Sequence, residues 1–295
     1  MGIYKLSKYI NEHCKEAYFN SSLQLLQNKI IVIDFMQFIY KFKQEGNLVE
    51  KLYLMCSLFR NYNIIAIFVF DGKPDTIKKT CLINRSNQRK VLRDKLKDPN
   101  LNENSIKELE KQLIQINKND IEISKSIILF MGFQIIQARY ESDPILSYLS
   151  KRSNILGCMS EDSDMFVFGC KFVIKSLNLK NKTIILYNLN KILKQLNLKF
   201  YEFKLLCMLT KNDYNQESPY DFYTMYRLYK NYCRKKIIYI PFNNWINNKP
   251  LYNLKYLNNC FKDKKVFEKF NIKLNKVDYK SLKNILSNYG FYFII

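Results

Sequence analysis

Acidic residues follow several apolar runs in this chain. "KIIVID" ends at Asp34, and "IFVFDGKP" reaches Asp71 just before a Gly-Lys-Pro break. Further acids that follow apolar runs are Glu141, Asp143, Glu161, Asp162, Asp164 and Asp213. Carboxylates held close together cannot all stay ionised without cations, and hard oxygen ligands suit Mg²⁺. Two such ions, about 3.5–4 Å apart, would activate a water and stabilise a leaving oxygen in phosphodiester hydrolysis.

Each of these acids also has a structural interpretation. Asp143 precedes a proline and could cap a helix, and Asp71 precedes a glycine as in an ordinary turn. Asp162 and Asp164 could likewise be turn or cap residues. Taken one at a time, the structural interpretation is the commoner one. Caps do not explain acids at four strand ends in a chain whose net charge is +22.

The elements that must position these acids are predicted to alternate between strands and helices. Apolar runs predict strands at 29–34, 64–70, 133–138, 155–159, 171–176 and 183–187. Helical patterns occur at 35–43, 48–61, about 76–130 and 144–152, and the chain after 188 is mostly helical. This alternation predicts an α/β fold with a mainly parallel central sheet flanked by helices. The strands' carboxyl ends, where the acids stand, form the usual ligand edge of such a sheet.

Two regions fall outside this alternation. The segment 76–130 is too long and too charged for an ordinary crossover, so it is predicted to project as a helical insertion. A turn signal in "NQESPY" predicts a boundary near 216. We therefore expect a core over 1–215 that carries the insertion, and a helical C-terminal region over 216–295.

Composition limits the class of partner. The chain has 295 residues, with 48 Lys and Arg against 26 Asp and Glu, which favours a polyanionic partner such as nucleic acid or an anionic membrane surface. No apolar run is long enough to span a bilayer, and no convincing basic amphipathic anchor is present, so a membrane partner is not expected. The scattered cysteines and single histidine argue against a zinc site and a disulfide framework and fit an intracellular protein.

A basic stripe follows Asp71. In "DTIKKTCLINRSNQRKVLRDKLK", Arg85, Arg89 and Arg93 are four residues apart and share one helix face, and Lys78 lies ahead of them. A solvated helix face is the common explanation of such a stripe. Directly after a candidate metal ligand, these cations could instead hold a scissile phosphate or guide a single strand.

The ordered blocks "MGI", "IDFMQFIY", "VFDGKP", "NRSNQR", "MGFQIIQARYESD", "SEDSDMFVFG" and "LTKNDY" together resemble the XPG-type flap endonuclease family over roughly residues 1–214. The resemblance implies a PIN-like nuclease core. It implies two Mg²⁺ ions, replaceable by Mn²⁺, held by Asp34, Asp71, Glu141, Asp143, Asp162, Asp164 and Asp213. It also implies that Lys78 and Arg85 contact the scissile phosphate, and that the 76–130 insertion is the arch through which a 5′ flap threads.

The resemblance implies DNA-binding roles for four more residues. Tyr40 matches a tyrosine that stacks on a base near the cut, although a core aromatic is the alternative. Gly2 matches a glycine near the site, and Arg89 would lie on the arch with Arg93 beyond it.

Three departures from the family pattern alter these expectations. In the pair Glu141 and Asp143, the second acid is an aspartate, which is one methylene shorter than the glutamate usual in the family at that position. No glycine occurs in "YNQESPYDFYTMYRLYKNYCRKK", where the family has a glycine-rich helix–two-turn–helix that grips duplex DNA with a K⁺ ion. The cluster Arg234, Lys235 and Lys236 could replace that grip or be a solvated surface. The C-terminal "NYGFYFII" lacks a sliding-clamp docking motif, so clamp binding is not expected.

The resemblance implies a metal-dependent 5′ nuclease, endonuclease or 5′–3′ exonuclease, that acts as a monomer on flapped or branched DNA in replication, repair or recombination. Its expected location is intracellular, in the nucleus or another site of DNA replication. An RNA-preferring 5′ exonuclease is a close variant. A non-catalytic nucleic-acid-binding scaffold on the same fold is the alternative of a different class, and the presence of all seven acids argues against it.

Overall fold

One mixed, mostly parallel sheet forms the centre of the molecule. A computed structural model of the chain describes residues 2–73, 79–98, 101–235, 241–246, 253–263 and 272–292. The strands are β1 Tyr18–Ser22, β2 Ile30–Asp34, β3 Ile65–Phe70, β4 Gln134–Gln137, β5 Gly157–Met159, β6 Phe172–Asn178 and β7 Thr183–Asn188. Their order is β1-β7-β6-β5-β2-β3-β4. The four pairings from β6 through β5, β2 and β3 to β4 are parallel, and β7 runs antiparallel to β1 and β6.

Helices cover both faces of this sheet. In chain order they are α1 Leu6–His13, α2 Phe35–Gln44, α3 Leu48–Asn61, α4 Lys79–Lys95, α5 Glu103–Leu113, α6 Lys118–Phe130, α7 Asp143–Ser150, α8 Asp164–Val167, α9 Leu189–Leu196, α10 Phe200–Leu209, α11 Phe222–Arg234, α12 Phe242–Ile246, α13 Leu254–Cys260 and α14 Tyr279–Ser287. None of the helices in these ranges is both long and apolar enough to cross a membrane.

The central strands are apolar on both sides because each side faces a separate core. In β3, Ile67 and Val69 point into one hydrophobic cluster, while Ala66, Phe68 and Phe70 point into the other. This follows from the two-residue repeat of a strand, which sends successive side chains to opposite faces. Burial on both faces fixes the strand register, and therefore the height at which each strand ends at the ligand edge.

The sequence predicted six of the seven strands within the described residues and missed β1. β1 has the sequence "YFNSS" and pairs only with β7 at the edge of the sheet, and its side chains are partly or fully exposed. An edge strand of this kind lacks the apolar run that marked the others. The prediction of a mainly parallel sheet is confirmed.

The predicted insertion over 76–130 is only partly a projection. α4 and α5 pack against each other, and α5 has no buried residue. α6 instead packs against α3 and β4, with Ile127 and Ile128 fully buried. The prediction that the projection extends to 130 was therefore wrong: its last helix belongs to the core, because an apolar stripe lay within the charged segment.

The chain after the predicted boundary near 216 continues the same cores. Phe222 and Met225 of α11 are buried in the cluster that contains α10, and Leu282 and Leu286 of α14 are buried in the cluster that contains α6. Division into regions 1–215 and 216–295 stays a prediction.

Candidate active site at the carboxyl edge of the sheet

Asp34 ends β2 and is almost completely buried. It is 3% exposed, and its Oδ2 accepts hydrogen bonds from the side-chain amide of Gln37 and from Ser160 Oγ, the latter at 3.1 Å. Burial raises the pKa of Asp34 well above its usual value, and the nearby carboxylates of Asp143 and Asp71 raise it further. An ionised carboxylate at this position therefore needs a counter-charge.

Asp71 follows β3 and ties that strand to the next loop. Its Oδ1 accepts a hydrogen bond from the backbone N–H of Ser142 at 2.8 Å. A side chain at Gly72 would place its Cβ 2.1 Å from the carbonyl oxygen of Ala138, so only glycine allows these two segments to run this close. The Asp-Gly pair is thus more than an ordinary turn, because it brings Asp71 beside the segment that bears Glu141 and Asp143.

Glu141 and Asp143 stand at the start of α7. The helix begins at Asp143 with Ser142 as its N-cap residue and Pro144 in the first turn, and the side chain of Ser142 makes no capping hydrogen bond. Asp143 is nearly buried and is close enough to Asp34 to raise the pKa of that carboxyl. The interpretation of Asp143 as an N-cap is therefore wrong.

Asp162 and Asp164 lie in the loop and short helix that follow β5. Asp162 Oδ1 accepts a hydrogen bond from the backbone N–H of Asp164 at 3.0 Å, and both carboxylate oxygens of Asp164 are inaccessible to solvent. Gly2 packs against this loop with a φ of +63°, and a Cβ there would lie 2.1 Å from Asp162 Oδ1. Gly2 therefore lies beside Asp162, and its role in DNA binding stays a prediction.

Asp213 reaches the same region by a different route. α10 ends at Leu209, and Asp213 is buried in the loop that follows. The buried side-chain amide of Asn212 holds this loop by donating hydrogen bonds to the carbonyl oxygens of Cys207, Met208 and Thr210. The next residue, Tyr214, donates its hydroxyl to Glu141 Oε2 at 3.0 Å. Asp213 is thereby linked to the acids of α7.

The acids influence one another electrostatically. The pKa of Asp34 is raised by burial and by the carboxylates of Asp143, Asp71 and Asp162. The pKa of Tyr214 is raised by burial and then by Glu141, Asp143 and Asp164. Five predicted ligands thus raise the pKa of either Asp34, itself a predicted ligand, or Tyr214, and Asp213 adjoins Tyr214 in the chain.

The donor chemistry at this edge suits a hard divalent cation. Every candidate ligand offers carboxylate oxygen, and Asp34, Asp143, Asp164 and Asp213 are buried. Among the described residues, no three His, Cys, Asp or Glu side chains already form a compact metal-binding group. The assignment of all seven acids as ligands therefore stays a prediction.

A half-buried lysine beside these acids, Lys175, was not predicted from the sequence. Burial lowers the pKa of Lys175, and the carboxylates of Asp162, Glu161 and Asp164 oppose that effect. Its Nζ donates a hydrogen bond to Ser7 Oγ at 2.6 Å. A lysine within the apolar strand "FVIKSLN" was the available signal, because a charge in a buried strand requires a partner.

A cleft of about 1020 Å³ connects the acidic edge to the basic helix α4. Its lining includes Asp162 and Glu161 from the acidic loop, Tyr40 and Lys41 from α2, and Arg89 from α4. Three of the predicted functional residues therefore line one cleft: Asp162, Tyr40 and Arg89.

The other predicted cationic residues are not among the described residues that line this cleft. Arg93, one turn further along α4, is exposed and is not among the described residues that line the cleft. Lys78 lies outside the described residues, as do Lys236 and the side chain of Arg85.

Comparison with known families identifies this arrangement. The XPG N-terminal domain matches residues 1–93, and the XPG I-region matches residues 132–213, which together cover more than half of the chain. The chain belongs to the XPG-type flap endonuclease family. The two matched regions contain all seven acids, and the gap between them coincides with the end of α4, with α5 and with α6.

Curated relatives are similar at a moderate level. Flap endonuclease 1 of Theileria parva is 28% identical over 255 residues, which cover 78% of this chain and 52% of the relative. Flap endonuclease 1 of Methanococcus aeolicus is 27% identical, covering 90% of this chain and 86% of the relative. The chain spans about half the length of several of the relatives that it matches, among them 42% of the Plasmodium falciparum protein.

Solved XPG-type structures share the fold. The catalytic core of Rad2 in complex with DNA substrate superposes with a TM-score of 0.69 at 18% identity, covering 97% of this chain and 95% of that chain. Flap endonuclease-1 from Methanococcus jannaschii gives 0.65 at 20% identity, covering 92% and 90%. The match with the Rad2 core covers nearly the whole chain, including its C-terminal part.

Proposed function

We propose that this XPG-type chain is a structure-specific 5′ nuclease that hydrolyses phosphodiester bonds in flapped or branched DNA. The observation that carries the proposal is the juxtaposition of the acidic edge with the basic helix α4: Asp162 and Arg89 line the same cleft. Related proteins are named flap endonucleases, and the Rad2 core has been solved with a DNA substrate. We further propose that the nuclease residues lie within 1–215, and that 216–295, whose helices α11 and α14 pack into the same cores, serves as a divergent duplex-binding element.

The acids of the edge would hold two Mg²⁺ ions, or Mn²⁺ in their place. Such ions, when bound, activate a water as nucleophile and stabilise the leaving oxygen. The chain's own residues bind and orient the substrate. Tyr40 offers a ring to a base, Arg89 offers positive charge to the backbone, and Lys78 and Arg85 are proposed to contact the scissile phosphate.

The cellular setting follows from the same proposal. We place the protein inside the cell at a site of DNA replication, such as the nucleus, acting in replication, repair or recombination. We propose that it works as a monomer and without sliding-clamp docking. Neither a membrane partner nor a non-catalytic scaffold is favoured, because all seven predicted acids are present in the sequence.

The first prediction tests this activity. Asp162→Ala should lower the cleavage rate of a 5′-labelled flap by more than about 100-fold, because outer-shell partners of a metal alone cost 10–100-fold. Binding of the flap should persist, since Asp162 contributes no positive charge. Cleavage is measured by gel with and without Mg²⁺, on flapped, nicked, blunt and RNA-containing substrates.

The matched control is Glu122→Ala, which removes an exposed carboxylate paired with Lys125 on α6. It should cleave at the wild-type rate. Turnover by Asp162→Ala at the control's rate would reject the metal role of Asp162. Faster cleavage of the RNA-containing substrate would favour the 5′ exoribonuclease variant instead.

A further inference from the structure

One side-chain amide joins the two acid-bearing strand ends. Gln37 lies in the first turn of α2, three residues after Asp34. Its Nε2 donates hydrogen bonds to Asp34 Oδ2 and to Ser160 Oγ, the latter at 3.1 Å. Its Oε1 accepts one from the backbone N–H of Glu161 at 2.8 Å. The amide therefore contacts the end of β2 and the loop after β5 at the same time.

The orientation of this amide is fixed by chemistry. Reversing it would place the oxygen against the carboxylate of Asp34 and the NH₂ group against the N–H of Glu161, and both contacts would be repulsive. A glutamine can satisfy both partners, because it carries a donor and an acceptor on one planar group. Neither Glu nor Met at this position offers that combination.

Ser160 completes the connection. Its hydroxyl contacts Asp34 Oδ2 at 3.1 Å and accepts a hydrogen bond from the backbone N–H of Asp162 at 3.2 Å. β2 and β5 are parallel neighbours, with Ile33 opposite Met159, so Asp34 and Ser160 follow paired residues. Gln37 and Ser160 thus bind the same carboxylate oxygen and the same loop.

This arrangement assigns the two oxygens of Asp34 different roles. Within the described residues, the side-chain hydrogen bonds from Gln37 and Ser160 both end on Oδ2. Oδ1 is then the oxygen available to a cation. Partners that orient a ligand in this way usually alter metal affinity by about 10–100-fold when they are removed.

We propose that Gln37 is a positioning residue that orients Asp34 and the 160–162 loop for a divalent cation. This inference rests on the proposed function, since it needs a cation at the acidic edge. Gln37 bears no charge, and it would act on the cation through Asp34 and the backbone of Glu161.

The second prediction tests this role. Gln37→Met keeps the length of the side chain and removes its hydrogen bonds, so Mn²⁺ should bind about 10–100-fold more weakly. The measurement is the free Mn²⁺ signal in electron paramagnetic resonance during titration of the DNA-free protein. Flap cleavage by the variant should need correspondingly more Mg²⁺ and recover at high Mg²⁺, which a merely structural role would not produce.

The matched control is Gln44→Met on the same helix. Gln44 donates its amide to the carbonyl oxygen of Lys111 rather than to an acid, so its loss should leave Mn²⁺ affinity unchanged. Ser160→Ala gives a second route to the same result if Gln37→Met folds poorly. The double variant should lose less affinity than the product of the two single losses, because both residues bind Asp34 Oδ2.

The outcomes separate this inference from the proposed function. Wild-type Mn²⁺ affinity in both Gln37→Met and Ser160→Ala would overturn the positioning role alone. A wild-type protein that binds no Mn²⁺ and cleaves no flap would overturn the proposed function, and the inference with it. Weaker Mn²⁺ binding by Gln37→Met, with Gln44→Met unchanged, would support the positioning role.

Discussion

Asp34 must be ionised to bind a cation, but it lies in a buried site that disfavours an ionised carboxylate. Burial and the neighbouring carboxylates raise its pKa, so the metal-free fold disfavours the ionised form more than water does. Because the pKa in the folded state exceeds the unfolded value of about 3.9, this group costs stability as pH rises above that value. Asp34 is therefore a residue at which metal binding and stability oppose each other.

The third prediction follows from this opposition. Asp34→Asn should stabilise the metal-free protein at neutral pH by about 1–3 kcal/mol, because it removes a buried charge and keeps an oxygen for Gln37 and Ser160. Chemical denaturation in EDTA measures the change. Mg²⁺ should raise the melting temperature of the wild type more than that of the variant. A less stable metal-free Asp34→Asn protein would show that hydrogen bonds to the ionised carboxylate outweigh its burial.

At this scale the sequence predicted the acids but not their partners. Asp34 and Asp71 were visible because a charge after an apolar run is unusual, and Gly2 was visible through the family motif. Gln37 was not, because a polar residue in the first turn of a helix has no distinctive pattern. Its role depends on a contact with Ser160 and Glu161, more than 120 residues away, which pairing of β2 with β5 creates.

Among the elements, α4 carries the charge that the cleft presents to a substrate. Arg89 and Arg93 are both exposed on this helix and lie one turn apart, but of the two only Arg89 is among the described residues that line the cleft. The two residues therefore separate a local contact from a general positive field.

The fourth prediction uses this pair. Arg89→Ala should lower kcat/KM for flap cleavage by about tenfold, because a charge-assisted hydrogen bond to phosphate is lost. Arg93→Ala should lower it by less than about threefold, since a distant exposed charge is screened by salt. Steady-state cleavage at fixed Mg²⁺ and ionic strength provides the comparison. Equal losses would indicate that α4 acts as a uniform positive surface.

Elements with strong apolar runs were predictable, and those with mixed patterns were not. β2 and β3 are buried on both faces and their runs gave their positions closely. β1 is a polar edge strand that forms by pairing with β7. Because this pairing depends on a distant strand, the sequence of β1 alone does not indicate it. α6 was assigned to the projecting segment because its charged first turn masks the apolar positions Ile127 and Ile128.

For the molecule as a whole, the question is where its excess positive charge is used. The net charge of +22 coexists with a carboxylate-rich edge, so the cationic surface lies elsewhere. α11 ends at Arg234, and Lys235 lies over the ring of Trp245 at 5.9 Å from the centroid. This end of α11 lies in the glycine-free segment for which the family resemblance suggests a role in gripping duplex DNA.

The fifth prediction asks whether that end of α11 contacts duplex DNA. Each phosphate contact contributes about −0.9 to the slope of log affinity against log salt concentration. Arg234→Ala combined with Lys235→Ala should therefore reduce the magnitude of the slope by about 1–2 for a flap with a long duplex arm. Fluorescence anisotropy without divalent cations, over a KCl series, measures this.

A flap whose duplex arm is too short to reach α11 provides the control, since wild type and double variant should bind it with the same slope. Lys29→Ala combined with Lys182→Ala, which removes two charges from residues at other sites in the chain, should leave the long-arm slope unchanged if contact rather than net charge decides it. An unaltered long-arm slope in the α11 variant would assign Arg234 and Lys235 to a solvated surface. The duplex would then have to be held by other cations of the molecule, because affinity for a polyanion without phosphate contacts would show almost no dependence on salt.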